Sequence, residues 1–74
     1  MRMSELQDKD IINVKDGKNL GRIIDLEVSH DGNITNIIAE PTKFLRLNSF
    51  NKETNIQFKE IVRIGKDVIL VDLD

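Results

Sequence analysis

Apolar residues in this chain fall in short clusters separated by turn-forming pairs, and no stretch sustains the three-to-four-residue repeat of a long amphipathic helix. Ile11-Ile12-Asn13-Val14 reads as a first short strand. Asp16-Gly17 follows as a turn, since glycine enters the φ > 0 region freely and aspartate tolerates it. From about Leu20 to Val28 the alternation predicts a second strand. It places Leu20, Ile24, Leu26 and Val28 on the core face, with Arg22 the polar exception, and Ile23, Asp25 and Glu27 on a mixed face. His30-Asp31-Gly32-Asn33 then closes a hairpin onto a third strand, Ile34 to Glu40. There Ile34, Asn36 and Ile38 share one side, and Thr35, Ile37 and Ala39 the other. Pro41 has no N–H to give to a ladder and ends the strand.

Punctuation elsewhere is equally dense. Ser4-Glu5-Leu6-Gln7 fits a capping box with Ser4 as N-cap, and no amphipathic run follows, so one helical turn at most is expected. Ile56-Gln57-Phe58 reads as a short strand entering a turn. Ile61 to Ile64 and Val68 to Leu73 read as a closing hairpin around Gly65-Lys66-Asp67. The stretch from Thr42 to Thr54 has the least regular pattern. Five or six short strands with turns between them predict an all-β fold, a small barrel or sandwich. A barrel has the advantage of removing exposed sheet edges from so short a chain.

Composition sharpens this picture. Eleven isoleucines and five valines stand against a single alanine, and β-branched side chains suit a pleated surface better than a helix. Seventy-four residues make one small domain, spanning residues 1–74, and a chain of this size buries only about 60% of its unfolded surface. Such cores are usually reinforced by disulfides, metals or oligomerisation. The absence of cysteine excludes the first, and His30 as sole histidine leaves no transition-metal cluster. A homodimer is the expected reinforcement.

A formal charge of −2, from eleven basic and thirteen acidic residues, argues against a dedicated nucleic-acid binder, which carries a basic excess or stripe. No apolar run approaches the ~18 residues of a membrane span. The start, Met1-Arg2-Met3-Ser4-Glu5, has no apolar leader segment, so a cytoplasmic protein is expected. The Asn33-Ile34-Thr35 glycosylation pattern is then accidental.

Candidate chemistry is sparse. Asp25 and Glu27 share a strand face about 7 Å apart by strand rise, but paired carboxylates need a pocket and perturbed acidity to act as acid and base. Their plainer roles are a turn contact for Asp25 and a solvated position for Glu27. Asp31-Gly32-Asn33 has part of a calcium-loop pattern without the remaining ligands, which leaves a hairpin turn. Ser4, Ser29 and Ser49 have no histidine arranged beside them for nucleophilic catalysis. Gly17 and Gly21 are not part of a phosphate loop. No catalytic, cofactor or metal site is expected. One region has the composition of a contact surface: Lys43, Phe44, Arg46, Leu47, Phe50 and Lys52, where cations alternate with apolar groups. Aromatic and arginine side chains anchor many protein interfaces. The alternatives are an inward-packed barrel strand through Leu45 or Leu47, and a weak RNA patch.

Two signatures carry a family resemblance: Val14-Lys15-Asp16-Gly17 with Leu20-Gly21-Arg22-Ile23-Ile24-Asp25-Leu26, and Ile61-Val62-Arg63-Ile64-Gly65-Lys66-Asp67-Val68-Ile69-Leu70-Val71. With Ser4-Glu5-Leu6 at the start, the chain resembles the PRC-barrel family over essentially its whole length, and within it the stand-alone YlmC/YmxH-type branch. Where family members often carry Pro-Trp, this chain has Gln57-Phe58. The resemblance implies a small PRC-type β-barrel of five to six short strands without catalytic apparatus. It further implies a non-enzymatic protein-binding or adaptor module, as a homodimer, in cell division or sporulation. The alternative it offers is an RNA- or ribosome-associated assembly factor, by analogy with the C-terminal barrel of the ribosome maturation factor RimM.

Overall fold

A computed structural model describes residues 1–41 and 53–73. A short helix α1 (Met3–Gln7) precedes six strands: β1 (Asp10–Asn13), β2 (Asn19–Val28), β3 (Ile34–Glu40), β4 (Thr54–Gln57), β5 (Ile61–Ile64) and β6 (Val68–Val71). A 3-10 turn, Phe58–Glu60, joins β4 to β5. The strands form one sheet in the order β4-β3-β2-β1-β6-β5. Antiparallel pairing runs from β1 through β4, and β5 pairs antiparallel with β6. The parallel pairing of β1 with β6 joins the two halves.

The two outer strands of this order, β4 and β5, are consecutive in the chain. Three residues of 3-10 helix advance only about 6 Å, so the sheet must curl until those edges approach one another. That is the small barrel the turn spacing predicts. The turn is fastened at both ends: the Gln57 N–H donates to Glu60 Oε1 at 2.9 Å, and the Asp72 N–H donates to the Glu60 carbonyl at 2.9 Å.

Side chains from five strands meet inside. Ile11, Ile23, Ile37, Ala39, Ile56, Ile69 and Val71 are buried, and Ile61 and Ile64 of β5 and Met3 and Leu6 of α1 pack against them. Ile37 and Ala39, which alternation places on one side of β3, lie inward. On β2 alternation fails: Ile23 is buried and Ile24 is 45% exposed. The cause is a β-bulge. Ile23 pairs with Ala39 and Asp25 with Ile38, so Ile24 is the extra residue. A bulge lets two neighbouring positions oppose one partner and shifts the inward phase of the strand. Inward positions therefore run Gly21, Ile23, Leu26, and Arg22 comes to the outside, where Nε donates to Asp10 Oδ1 at 3.3 Å. A second irregularity, where Glu27 pairs with Asn36 and Val28 with Ile34, brings Ile34 back against the core.

The helix differs from the expected capping box. Arg2, not Ser4, is the N-cap, and its carbonyl accepts from the Glu5 and Leu6 N–H groups. Starting there puts Met3 and Leu6 three residues apart on one face, where both reach the core.

Asn13 is the buried polar residue of the core, 7% exposed. Its Oδ1 accepts from the Lys15 N–H at 3.1 Å and the Leu73 N–H at 3.2 Å. Its carbonyl accepts from the Gly17 N–H at 2.7 Å. One residue, through its side chain and its carbonyl, thus ties the turn at Lys15 to Gly17 to the segment after β6.

Candidate interaction surface

The carboxylates singled out from sequence do not converge on a pocket. Asp25 Oδ1 accepts from the adjacent Leu26 N–H at 2.8 Å, a local bond rather than one to a loop. Glu27 is exposed and its Oε1 accepts from Asn55 Nδ2 at 3.2 Å, while Asn36 Nδ2 donates to Asn55 Oδ1 at 2.6 Å. This chain of amides crosses β2, β3 and β4 on the outside of the barrel. Its members satisfy one another.

At the β2–β3 hairpin the Asp31 carboxylate is engaged by its own loop. The Ser29 hydroxyl donates to Oδ1 and Asn33 Nδ2 donates to Oδ2 at 3.1 Å. The Ser29 hydroxyl bond, helped by a backbone bond from Asn33, holds Asp31 below the usual carboxylate range. His30 is exposed beside it. Among the described residues no group of three His, Cys, Asp or Glu is placed to hold a metal ion. Lys43, Phe44, Arg46, Leu47, Phe50 and Lys52 lie outside the described residues.

The outside of the barrel is divided in character. Across β2, β3 and β4 the outward positions are mainly polar: Arg22 opposite Glu40, Asp25 beside Ile38 and Asn55, Glu27 beside Asn36 and Gln57. Across β1, β6 and β5 the register places Ile12 opposite Leu70, and Leu70 opposite Arg63. Val68 precedes Leu70 on that face and Val14 follows Ile12. Ile12, Val68 and Leu70 are only partly buried, and none belongs to the apolar set packed against the core. Val14 is 46% exposed and Val62 59%. Val62 stands out because the β5–β6 register skips it, pairing Ile61 with Val71 and Arg63 with Leu70.

This face carries a sequence signal that alternation arguments pass over. Ile11-Ile12 and Val68-Ile69-Leu70-Val71 are continuous apolar runs, the pattern of strands covered on both faces. The core covers one face of each. On the other, Ile12, Val14, Val62, Val68 and Leu70 form an apolar strip rimmed by Asp10, Lys15, Arg63 and Asp72. Lys15 Nζ lies 3.6 Å from Asp72 Oδ1 and Arg22 Nε 3.3 Å from Asp10 Oδ1. Arg63 is exposed and forms no ion pair with any described residue. Where the curled edges approach, Gln57, Lys59, Glu60, Val62 and Asp72 line a hollow of about 540 Å³, continuous with the strip through Val62 and Asp72.

No described helix is long and apolar enough to cross a membrane. Comparison with known proteins accords with this architecture. The chain is 42% identical over 73 residues to the "Probable sporulation protein YlmC" of Bacillus subtilis, covering 96% of this chain and 90% of that protein. It is 33% identical over 76 residues to the protein YmxH of the same organism, covering 99% of this chain and 89% of the relative. The model of the PRC-barrel domain matches residues 1–74. With its curled six-stranded sheet and these two relatives, the chain belongs to the PRC-barrel domain family.

Proposed function

We propose that this chain is a non-enzymatic protein-binding module of the cytoplasm, a single barrel over residues 1–74 that associates through an outer barrel face and serves as an adaptor in sporulation or cell division. The observation that carries this reading is the apolar strip Ile12, Val14, Val62, Val68 and Leu70, set apart from the core and rimmed by charges. Exposed apolar area of this kind, enclosed by polar groups, is a mark of protein association sites. The sporulation context is suggested by the name of the relative, the probable sporulation protein YlmC. Lys43, Phe44, Arg46, Leu47, Phe50 and Lys52 supply a second contact in the same reading.

Affinity capture of the tagged chain from its native lysate, with and without nuclease, tests the proposal. Protein partners that survive nuclease and moderate salt are the expected result. Ribosomal proteins lost with nuclease, with binding that falls steeply as salt rises, would replace this reading with an RNA-associated one.

A further inference from the structure

We infer that the apolar strip seats an amphipathic helix of a partner protein, lying along the strands with aliphatic side chains over Ile12, Leu70 and Val62 and acidic side chains toward β5. The inference rests on the protein-binding reading and adds the shape and charge of the segment recognised.

Three observations lead to it. The first is topology. β1 and β6 form a parallel pair, and parallel strands are ordinarily covered on both faces, with helices as the usual layer. Here the core covers one face of the pair, while Ile12, Val68 and Leu70 stand outside the set packed against it. The chain's own α1 is engaged with the core through Met3 and Leu6. The second is size. Strands about 4.8 Å apart with a rise of about 3.3 Å per residue give a strip of roughly 14 by 13 Å. A helix is about 10–12 Å across with its side chains, and roughly nine of its residues span the strip lengthwise. A single extended chain would cover only one strand's width. A folded domain, burying about 800 Å² in a standard interface, would rest mostly beyond the strip.

The third is charge. Asp10 Oδ1 is met by Arg22 at 3.3 Å, and Asp72 Oδ1 by Lys15 at 3.6 Å. The Glu60 carboxylate accepts from the Gln57 N–H. By contrast Lys59 and Arg63, on the β5 side, are exposed, and neither forms an ion pair with a described residue. The uncompensated charge along that border is therefore positive. Complementary rim charges select a partner and fix its orientation, so the helix carries its acids on the flank that meets β5. The hollow beside Val62, lined also by Gln57 and Lys59, has room for one of those acidic side chains.

Selection from a displayed library of random peptides, each roughly 16 residues and about 24 Å long when helical, is the test. The parent chain is the bait and Val62→Glu the counter-selection. Enriched peptides are expected to carry aliphatic residues at i, i+3 or i+4 and i+7, with acids along one border. They should gain helical circular dichroism on binding and shift the amide resonances of Ile12, Val62 and Leu70 in the isotope-labelled chain. Arg63→Glu and Lys59→Glu should each weaken them about fivefold or more, and replacing the peptide acids by lysine should restore binding to those variants. Ile24→Glu, exposed on the polar half of the barrel, should leave binding unchanged. Circular dichroism of every variant separates loss of binding from loss of fold. No enrichment, enrichment of alternating or basic sequences, or resonance shifts confined to other faces overturns the inference. So do shifts of Ile12, Val62 and Leu70 with concentration in the peptide-free chain, which would seat a second copy there. Lysate partners that survive nuclease but ignore Val62→Glu would overturn this inference and leave the protein-binding reading standing. Absence of both peptides and lysate partners would overturn the two together.

Discussion

Gly21 and Glu40 face one another across β2 and β3 with no room for a side chain between them. A Cβ on Gly21 would stand 2.0 Å from the Glu40 carbonyl oxygen and 2.7 Å from the Pro41 Cα. Gly21 also has φ +98°, a conformation that L side chains rarely adopt. Backbone atoms cannot yield as a flexible side chain can. The close approach lets the long hairpin bend over β1, where Ile11 pairs with Gly21 itself. This close approach and the bulge three positions later are two irregularities of β2 that depart from a flat ladder.

Gly21→Ala is expected to cost on the order of 3 kcal/mol or more, combining backbone strain with a backbone clash. That is a large share of the stability of a domain this small. By contrast Gly17, also at positive φ, has nothing within 4 Å of its added Cβ, so Gly17→Ala should cost only the φ penalty, roughly 1 kcal/mol. Urea unfolding of both variants checks the ranking, and a Gly21→Ala domain as stable as its Gly17→Ala counterpart would remove the structural role assigned to the contact.

Much of this was legible in the chain before any fold was in view. Turn pairs at Asp16-Gly17 and Asp31-Gly32, the proline ending β3 and the richness in isoleucine mark the strands and most of their limits. Alternation on β3 puts Ile37 and Ala39 on one side, and the structure shows that side to be the inward one. Alternation on β2 misplaces Ile23 and Ile24, because a period of two holds only along an unbroken ladder, and a bulge has no fixed residue signature. Arg22 was the clue: a charge on a supposed core face is better explained by a phase shift than by burial. The apolar strip was hidden for a related reason. Continuous apolar runs do not reveal which face the core takes, and only the parallel register of β1 with β6 assigns Ile12 and Leu70 to the outside.

The phase shift makes adjacent isoleucines unequal. Ile23→Ala removes a fully packed side chain, 4% exposed, and should cost about 2–5 kcal/mol. Ile24→Ala removes one that stands 45% exposed, with an expected cost below about 1 kcal/mol. Thermal or urea denaturation of the pair decides the matter, since the simple alternating pattern predicts the opposite order.

Asn13 supplies a separate test of how the ends of the chain are held. Its side-chain oxygen accepts from two backbone N–H groups, Lys15 and Leu73. Asn13→Leu withdraws that acceptor and leaves both donors unsatisfied, at a cost of about 1–3 kcal/mol for a buried group. Asn13→Asp keeps an acceptor at the same place and should recover part of the loss near neutral pH. Amide hydrogen exchange localises the effect: the Lys15 and Leu73 protons should lose protection first in Asn13→Leu. Equal behaviour of the leucine and aspartate variants would mean that packing, not the acceptor, matters at this position.

The Asp31 loop gives a pH prediction with a definite sign. The carboxylate is stabilised in its charged form by the Ser29 hydroxyl and by Asn33, which lowers its folded-state pKa below the ordinary value. A lowered carboxylate pKa means that the folded chain binds fewer protons than the unfolded one in this range. The associated stabilisation is present above the unfolded pKa, about 3.9 for aspartate, and is lost as pH falls through the lower folded value. Asp31 is fully exposed, so solvent screening keeps the energetic effect small and the titration itself is the better readout. Side-chain carboxyl NMR should give Asp31 a midpoint below that of an ordinary aspartate. Ser29→Ala, which removes the main donor to the carboxylate, should move it upward with little change in the fold. If the midpoint stays where it was, the hydroxyl contact is not what holds the carboxylate, and the hairpin owes its shape to the backbone bonds between Ser29, Gly32 and Asn33 alone.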